Sequence, residues 1–384
     1  MPIFSEPHLT PEESGVLRLI RDLWRDLQIS LHDRPRRWGG LLARNLRARA
    51  IQGSNSIEGY IVTQEDAIAA IDGDSPEDAR DDTWLAVVGY RRAMDYVLRL
   101  ADADDVAYDG SLIRALHFMM VGHDNKTNPG TWRPGSIYVK NNASGEIVYE
   151  GPSRDLVPGL IRELCTYLDT EDDEVGARMI RAAMAHLNLA MIHPFSDGNG
   201  RMARCLQTLV LARGGVLDPT FSSIEEYLGR NMQAYYHVLA EVGQGSWNPQ
   251  NDALPWVRFC LTAHYRQART AKRRLDFIAT IGAAIEDELQ RRRLPDRGAV
   301  SLSNAAVGFR IRNESYRREA DVSVVVASRD LKALVEAGLI VPRGEKRGRT
   351  YEAGEWLVGL RLRFRDSSPI PDPFEILRAQ PSSR

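Results

Sequence analysis

The 384 residues are 43% hydrophobic and 27% charged with a formal net charge of −2, which excludes overall disorder and gives no global electrostatic instruction about partners. No apolar run approaches the roughly 18–20 residues of a membrane span, and Met1 to Thr10 is polar with no signal core, so a cytoplasmic protein of two or three domains with no membrane partner is expected. Cys165, Cys205 and Cys260 lie far apart without metal spacing, which favours small core thiols over a zinc site or a disulfide framework.

Val16, Leu17, Leu19, Ile20, Leu23, Trp24 and Leu27 recur at helical spacing and predict a first helix. A second is expected over Leu41 to Ile51, followed by Gly53-Ser54-Asn55-Ser56-Ile57-Glu58-Gly59. Residues 72–82 are acidic, contain Pro and Gly, and read as a solvated loop. Trp84 to Leu100 and Ser111 to Met120 resume the helical period. Between Thr131 and Pro152 the texture changes. Ser136 to Lys140 and Glu146 to Glu150 are short β-like runs joined by Asn141-Asn142-Ala143-Ser144-Gly145, a hairpin signature because Asn and Gly supply the φ > 0 positions of a turn. Helices are expected again over Leu156 to Leu168, Glu174 to Ile192, Met202 to Ala212, Ile224 to Val242 and Leu254 to Gln267.

From about Ala271 the character shifts. A long charged helix near Arg273 to Arg292 leads into Leu294-Pro295-Asp296-Arg297-Gly298, a candidate boundary. Val322 to Gly338 reads as a helix closed by Gly338, followed by Leu339-Ile340-Val341, a basic turn and Thr350-Tyr351-Glu352. Helix, strand, basic turn and strand form the tail of a winged helix-turn-helix. Past Asp366 a Ser- and Pro-containing tail reads as loose.

The most informative string is His193-Pro194-Phe195-Ser196-Asp197-Gly198-Asn199-Gly200-Arg201-Met202-Ala203-Arg204. Pro194 disfavours helix at His193, so the helix before it breaks there, and a second opens at Arg201. Gly198 and Gly200 let the backbone approach a ligand closely, and a Gly-rich turn entering a helix N-terminus suits an anion such as phosphate. Arg201 and Arg204 share one helix face and can reach the same triphosphate. Asp197 is a hard oxygen ligand suited to Mg²⁺ bridging phosphates. His193 has a near-neutral ordinary pKa and can accept a proton from an incoming hydroxyl, while Phe195 buries the loop. A base, a metal ligand, an anion nest and two arginines within twelve residues describe transfer of a phosphorus group from a nucleotide.

This string resembles the Fic family signature, His-Pro-Phe-x-(Asp/Glu)-Gly-Asn-Gly-Arg-x-x-Arg, at every specified position. The resemblance implies His193 as general base, Asp197 as ligand of Mg²⁺ (or Mn²⁺), and ATP as substrate. It also implies that Asn199 with the Gly198 and Gly200 backbone holds the α- and β-phosphates, with Arg201 and Arg204 at the β/γ end. A protein hydroxyl (Tyr, Thr or Ser, on a target or on the chain itself) would attack the α-phosphorus and release pyrophosphate. Gly130-Thr131-Trp132-Arg133 and the hairpin resemble the family's flap, with Ser136, Ile137, Tyr138 and Val139 holding the target by strand-like pairing. Asn231 and Tyr235, in Asn-x-x-x-Tyr-Tyr, resemble the lining of the nucleotide pocket. Ser54-x-x-x-Glu58-Gly59 resembles the inhibitory motif of the subgroup with an N-terminal inhibitory helix, where Glu58 pairs with Arg204 in the place of the γ-phosphate. The likeness covers about residues 40 to 245.

The expected fold is therefore mainly α: an N-terminal helical region with the inhibitory helix at 1–105, a Fic-type helical core with a small hairpin flap at 106–270, a linker helix and winged-helix-like domain at 271–366, and a tail at 367–384. Bland readings stand beside these. Glu58 also fits the N3 position of a capping box begun by Asn55. His117, His186 and His237 read as packing residues, and Tyr235 and Tyr236 fit a core at helical spacing. Residues 291–349 hold 14 Lys and Arg against 7 Asp and Glu, so Arg343, Lys346, Arg347 and Arg349 suit DNA phosphates, or the module packs on the body or pairs two copies in a homodimer. The reading from another class is a DNA-binding regulator whose nucleotide site acts as a sensor. An intact His193, Asp197 and both arginines favour the enzyme, because a sensor can dispense with the base. Within the enzyme reading, removal of AMP by a Glu58-positioned water and transfer from another nucleotide stay open.

Overall fold

The computed structural model describes residues 2–73, 81–101, 103, 106–140, 144–170, 175–213, 218–345 and 349–379. The hairpin-turn residues Asn141, Asn142 and Ala143, the wing residues Lys346 and Arg347, and most of the acidic stretch 72–82 lie outside the described residues. The fold is mainly helical, with two small antiparallel sheets.

Two compact units divide the chain: Met1–Asp26, Leu46–Ala268 and Pro371–Arg384 form one, Leu27–Asn45 and Arg269–Ile370 the other. The helices are α1 (Pro11–His32), α2 (Arg36–Ile57), α3 (Gln64–Asp72), α4 (Asp82–Leu100), α5 (Gly110–Val121), α6 (Val157–Leu168), α7 (Val175–Ile192), α8 (Asn199–Ala212), α9 (Pro219–Ser222), α10 (Glu225–Arg230), α11 (Met232–Gly243) and α12 (Leu254–Arg291). They are followed by α13 (Ala299–Val307), α14 (Asn313–Ala320), α15 (Val324–Glu336), α16 (Glu355–Phe364) and α17 (Pro373–Ala379).

The first unit is built around α7 and α8. From Met179 to Leu189 α7 is buried on every side, and α8 is buried from Arg201 to Ala212, as befits helices apolar around most of their circumference. Trp256, fully buried on α12, donates its indole N–H to the carbonyl of Ala183 at 2.7 Å. The hairpin pairs β1 (Tyr138–Lys140) with β2 (Ile147–Glu150). Tyr149 sends its hydroxyl to the carbonyl of Met191 at 2.9 Å and ties β2 to the end of α7.

Four local expectations change. The second helix continues to Ile57, so Ser54 and Asn55 are helical and buried. Asn55 donates to the carbonyl of Ile51, which excludes the capping box at Glu58. The real capping box lies at Thr63, whose side chain and backbone exchange bonds with Asp66 to open α3, a helix the apolar periodicity alone does not reveal. Ile224 to Val242 is two helices broken at Asn231, whose φ of −120° departs from the helical value. Residues near 271 fall inside a single 38-residue helix, because Leu254–Arg291 contains no proline beyond its first turn. The C-terminal stretch is not loose throughout: Phe374 of α17 is buried and lies beneath Arg258, while Arg378 binds Glu12.

In the second unit, Ile281, Ile285 and Leu289 pack with Leu302, Tyr316, Leu331, Leu334 and Leu357. A three-stranded antiparallel sheet runs in the order β3 (Ile311–Arg312), β5 (Thr350–Ala353), β4 (Ile340–Arg343). The Leu294–Gly298 loop lies inside this unit, and Arg297 there pairs with the buried Asp330 at 2.6 Å. Among the described residues no helix is long and apolar enough to cross a membrane.

Candidate functional site

The loop between α7 and α8 is fixed by its own polar groups. Gly198 at φ 75° forms the left-handed entry to α8, where a side chain would be strained. Phe195 is fully buried, its ring stacked on His117 with centroids 3.7 Å apart. The amide of Gly130 donates to Nδ1 of His117 at 2.9 Å, so Nε2 carries the proton and donates to the carbonyl of Asp197 at 3.0 Å. Burial holds the His117 pKa down at about 4, and the ring stays neutral in this role. The packing reading of His117 is thus right in kind, but what it packs is the loop.

Asn199 is tied into the loop by its own side chain. Its Oδ1 accepts from the amide of Phe195 and its Nδ2 donates to the carbonyl of Phe195, both at 2.9 Å. The oxygen and one N–H of the amide are engaged within the loop, so Asn199 shapes the turn and keeps a second N–H for a ligand.

His193 is half-buried at φ 51°, and its Nδ1 lies 3.0 Å from the carbonyl of Ala190. That bond assigns the proton to Nδ1 and leaves Nε2 as the acceptor. Burial lowers the pKa of the ring below its ordinary value, against the raising effects of the Ala190 carbonyl and Glu58. A neutral imidazole with a free Nε2 is the form a general base requires.

Arg133, buried and expected only as part of the flap segment 130–133, joins the flap to this histidine. Its Nε donates to the carbonyl of His193 at 2.9 Å, its Nη groups reach the carbonyls of Gly135 and Pro152, and its amide donates to the carbonyl of Pro194. Of the expected flap residues, Tyr138 and Val139 are in β1, while Ser136 and Ile137 precede it. The carbonyl of Ile137 still accepts from the amide of Gly151 at 3.1 Å.

The two arginines are almost fully buried. Arg201 donates to Asp197 at 3.2 Å and lies over the ring of Tyr60, 5.1 Å from its centroid. Arg204 donates through Nε to the hydroxyl of Ser54 (2.8 Å), and through Nη2 to the carbonyl of Ser54 (3.0 Å) and to Oε1 of Glu58 (2.7 Å). Burial works against the Arg204 charge, yet Glu58, Tyr235 and Tyr90 together outweigh it and hold its pKa above the ordinary value. Nε and Nη1 of Arg201 and Nη1 of Arg204 are buried without a hydrogen-bond partner. Unpaired buried guanidinium nitrogens are costly, and an anion would satisfy them.

Ser54 and Glu58 are one helical turn apart at the end of α2, and both meet Arg204. The Glu58 carboxylate lies on the first turn of α8: a methyl group placed on Gly200 would collide with its Oε1. Tyr235 is buried and donates or accepts at Nε2 of His186 (3.0 Å), between Trp256 and Phe259, and Asn231 binds the carbonyl of Tyr227. Both are engaged in the helical framework, and Tyr235 also interacts with Arg204 and Glu58. Its neighbour Tyr236, half-exposed, reaches the site as well, with its hydroxyl on the carbonyl of Ile57 at 2.9 Å. Tyr60 carries no motif of its own and is found only by proximity.

Asp197 is 48% exposed and only its Oδ2 is engaged, by Arg201. One accessible carboxylate beside a helix N-terminus fits a divalent cation that shares phosphate oxygens. Cys165, Cys205 and Cys260 are free and buried.

Residues 108–211 match the model of the Fic/DOC family. The protein adenylyltransferase Fic of Drosophila yakuba is 31% identical over 191 residues, half of this chain and 33% of that protein. The protein of the same name from Nematostella vectensis is 26% identical over 175 residues, 45% of this chain and 36% of that one. The chain thus spans about a third of the length of these curated relatives. A Fic family protein from Desulfovibrio desulfuricans G20 has a similar fold, with a TM-score of 0.57 and 22% identity over 92% of this chain and 99% of that one. Fic-1 from C. elegans aligns with a TM-score of 0.51 and 20% identity over 70% and 73% of the two chains. Motif, fold and family match agree: this chain carries a Fic/DOC family domain, in residues 108–211.

Proposed function

We propose that the chain is a protein adenylyltransferase held in check by its own Glu58. The observation that carries this is the trio of unpaired guanidinium nitrogens on Arg201 and Arg204, beside a first helical turn already occupied by a carboxylate. With Glu58 withdrawn, the β- and γ-phosphates of ATP take the place of that carboxylate against Arg204 and Arg201. Nε2 of His193 removes the proton from a target hydroxyl as its oxygen bonds to the α-phosphorus. The bond from the α-phosphorus to the bridging oxygen breaks, and pyrophosphate leaves with the electron pair. Asp197 would hold Mg²⁺ or Mn²⁺, which supplies charge neutralisation at the phosphates. Asn199 and His117 keep the loop in shape, and Arg133 orients His193 against the flap. The relatives named as protein adenylyltransferases support the reaction class.

The test uses ATP labelled at the α- or the γ-phosphate, with Mg²⁺. The Glu58→Gly chain should retain α-label on protein, and the Glu58→Gly/His193→Ala chain should not. Retained γ-label instead would mean phosphate transfer, and no label in either would sink the proposal.

A second activity is favoured by one observation in the other unit. The α13–α15 helices with the β3–β5–β4 sheet support a winged helix-turn-helix, and α15 exposes Val324, Val325, Ser328, Arg329 and Lys332. We assign duplex DNA to this face, with Arg343 and Arg349 flanking it. Salt-sensitive duplex binding, lost in Arg329→Glu/Lys332→Glu, tests it; binding that ignores both charges refutes it.

A further inference from the structure

Resting on the adenylyltransferase reading above, we propose that Lys140 and Tyr138 select the target sequence: the modified hydroxyl is preceded or followed, at an odd spacing, by an acidic residue. Among the described residues β1 pairs only with β2, so its other edge is open. β2 is covered on its far side, where Glu150 exchanges bonds with Gly245 and Trp247. A chain reaching the site by strand addition therefore has one edge to use, that of β1.

The register fixes which main-chain groups are offered. The carbonyl of Ile137 accepts from Gly151, on the β2 side, so the N–H and C=O of Tyr138, one residue on, point to the open edge. The bulge in this hairpin does not disturb β1: Val139 faces Tyr149 and Lys140 faces Ile147, so the extra residue is Val148, on β2. Side chains along β1 alternate as in an ordinary strand. Tyr149 is buried with its hydroxyl on Met191, and its partner Val139 shares that inner face. Tyr138 and Lys140 share the outer face, and both are exposed.

The inner face is also the catalytic one. A side chain placed on Gly151 would meet Ile137 and approach Cβ of His193 to 3.8 Å. An acceptor hydroxyl must therefore sit on a target residue opposite Ile137 or Val139. The target residues opposite Tyr138 and Lys140 then point outward with those side chains, always an odd number of positions from the acceptor. Lys140 has no ion pair among the described residues, and it carries the only formal charge on the open edge of β1. Its complement is Asp or Glu, at spacing one or three on a single side of the acceptor. Which side reports whether the target strand runs antiparallel or parallel to β1. Tyr138, 45% exposed, offers an apolar platform to the residue beside it.

The experiment uses the full Glu58→Gly chain, α-labelled ATP, Mg²⁺, and eleven-residue peptides with one central Thr in a neutral background. A single Asp is moved through positions −4 to +4. The expected result is a gain in kcat/KM of roughly 2- to 5-fold at odd positions on one side, the size of an exposed ion pair, with none at even positions. Lys140→Glu should reverse the preference, so that Lys replaces Asp at the same positions. Equal response at odd and even positions, or a preference untouched by Lys140→Glu, overturns the inference while leaving the transfer reaction standing. A Glu58→Gly chain that labels no peptide and no protein removes the reaction, and the inference with it.

Discussion

Replacing Glu58 by Gly takes away one charge-assisted bond, 2.7 Å long, to an arginine that is almost fully buried. The Glu58 side chain is 22% exposed, so solvent screens the pair only in part. A hydrogen bond to a charged group contributes roughly 1.5–3 kcal/mol. If that bond must be broken before ATP aligns, its loss should raise the rate of AMP transfer about 10- to 150-fold, at roughly 1.36 kcal/mol per factor of ten. Glu58→Gln keeps the shape and a bond to the charged guanidinium but loses the opposite charge, and should give an intermediate rate. The assay is the initial rate of α-label incorporation at saturating ATP, with melting curves to show that each variant is folded. Folded Glu58→Gly and Glu58→Gln chains that transfer no faster than the parent would refute the reasoning.

Three further outcomes follow from the same geometry. Burial lowers the His193 pKa, so in the Glu58→Gly background the acid limb of the rate profile should inflect below pH 6.5; an inflection above it contradicts the neutral Nε2 base. Asn199→Ala removes both bonds to Phe195 and should cost about 1–3 kcal/mol of stability along with activity; a raised KM for ATP at unchanged melting temperature would instead mark a direct ligand. His117, His186 and His264 are held neutral by burial at pKa values of about 4, 3 and 4. The unfolded chain binds those protons first, so stability is full above pH 6.5 and is lost as pH falls toward 4, which urea midpoints across that range should follow. His186→Gln should make the decline shallower, and an unchanged slope would count against this account.

The catalytic loop is legible in the sequence because its residue types are chemically constrained: Gly198 needs a left-handed backbone, and the two arginines need a shared face. Pairing of Ser54 and Glu58 with Arg204 joins residues about 150 positions apart, and only the motif resemblance brings them together in the sequence. What stays hidden is contact decided by tertiary packing. Tyr60 beneath Arg201 has no local pattern that separates it from other residues, and the motif positions of Arg133 and Tyr236 do not show their bonds to the His193 and Ile57 carbonyls. Asn199 shows the converse: its place in the motif is legible, but its two bonds to Phe195 are not. Helix limits fail for a related reason: apolar spacing marks the buried stripe of α2 but not its last turn, where Ile57 is the one apolar residue and Ser54 is held by Arg204.

That last turn also decides how the site can open. At Gly53 the backbone of α2 touches α10: a methyl group there would strike the carbonyl of Glu225, and one on Gly229 would strike Gly53. The body of α2 is therefore fixed, and movement of Glu58 is confined to the segment after Gly53. There Gly59, at φ 85°, ends the helix, and Tyr236 holds the carbonyl of Ile57. Glu58 stands at the negative end of α2 and at the positive end of α8, two dipole effects of similar size and opposite sign. The restraint thus rests on Arg204, on the Tyr236 bond and on the buried side chain of Ile57. Tyr236→Phe deletes the latter without touching the arginine, and at about 0.5–1.5 kcal/mol it should raise transfer roughly 2- to 12-fold. Amide exchange should quicken at residues 57–60 and stay unchanged at 46–53. Exchange that quickens along the whole of α2, or a rate equal to that of the parent, would show that the helix yields as one body and that its last turn is not the hinge.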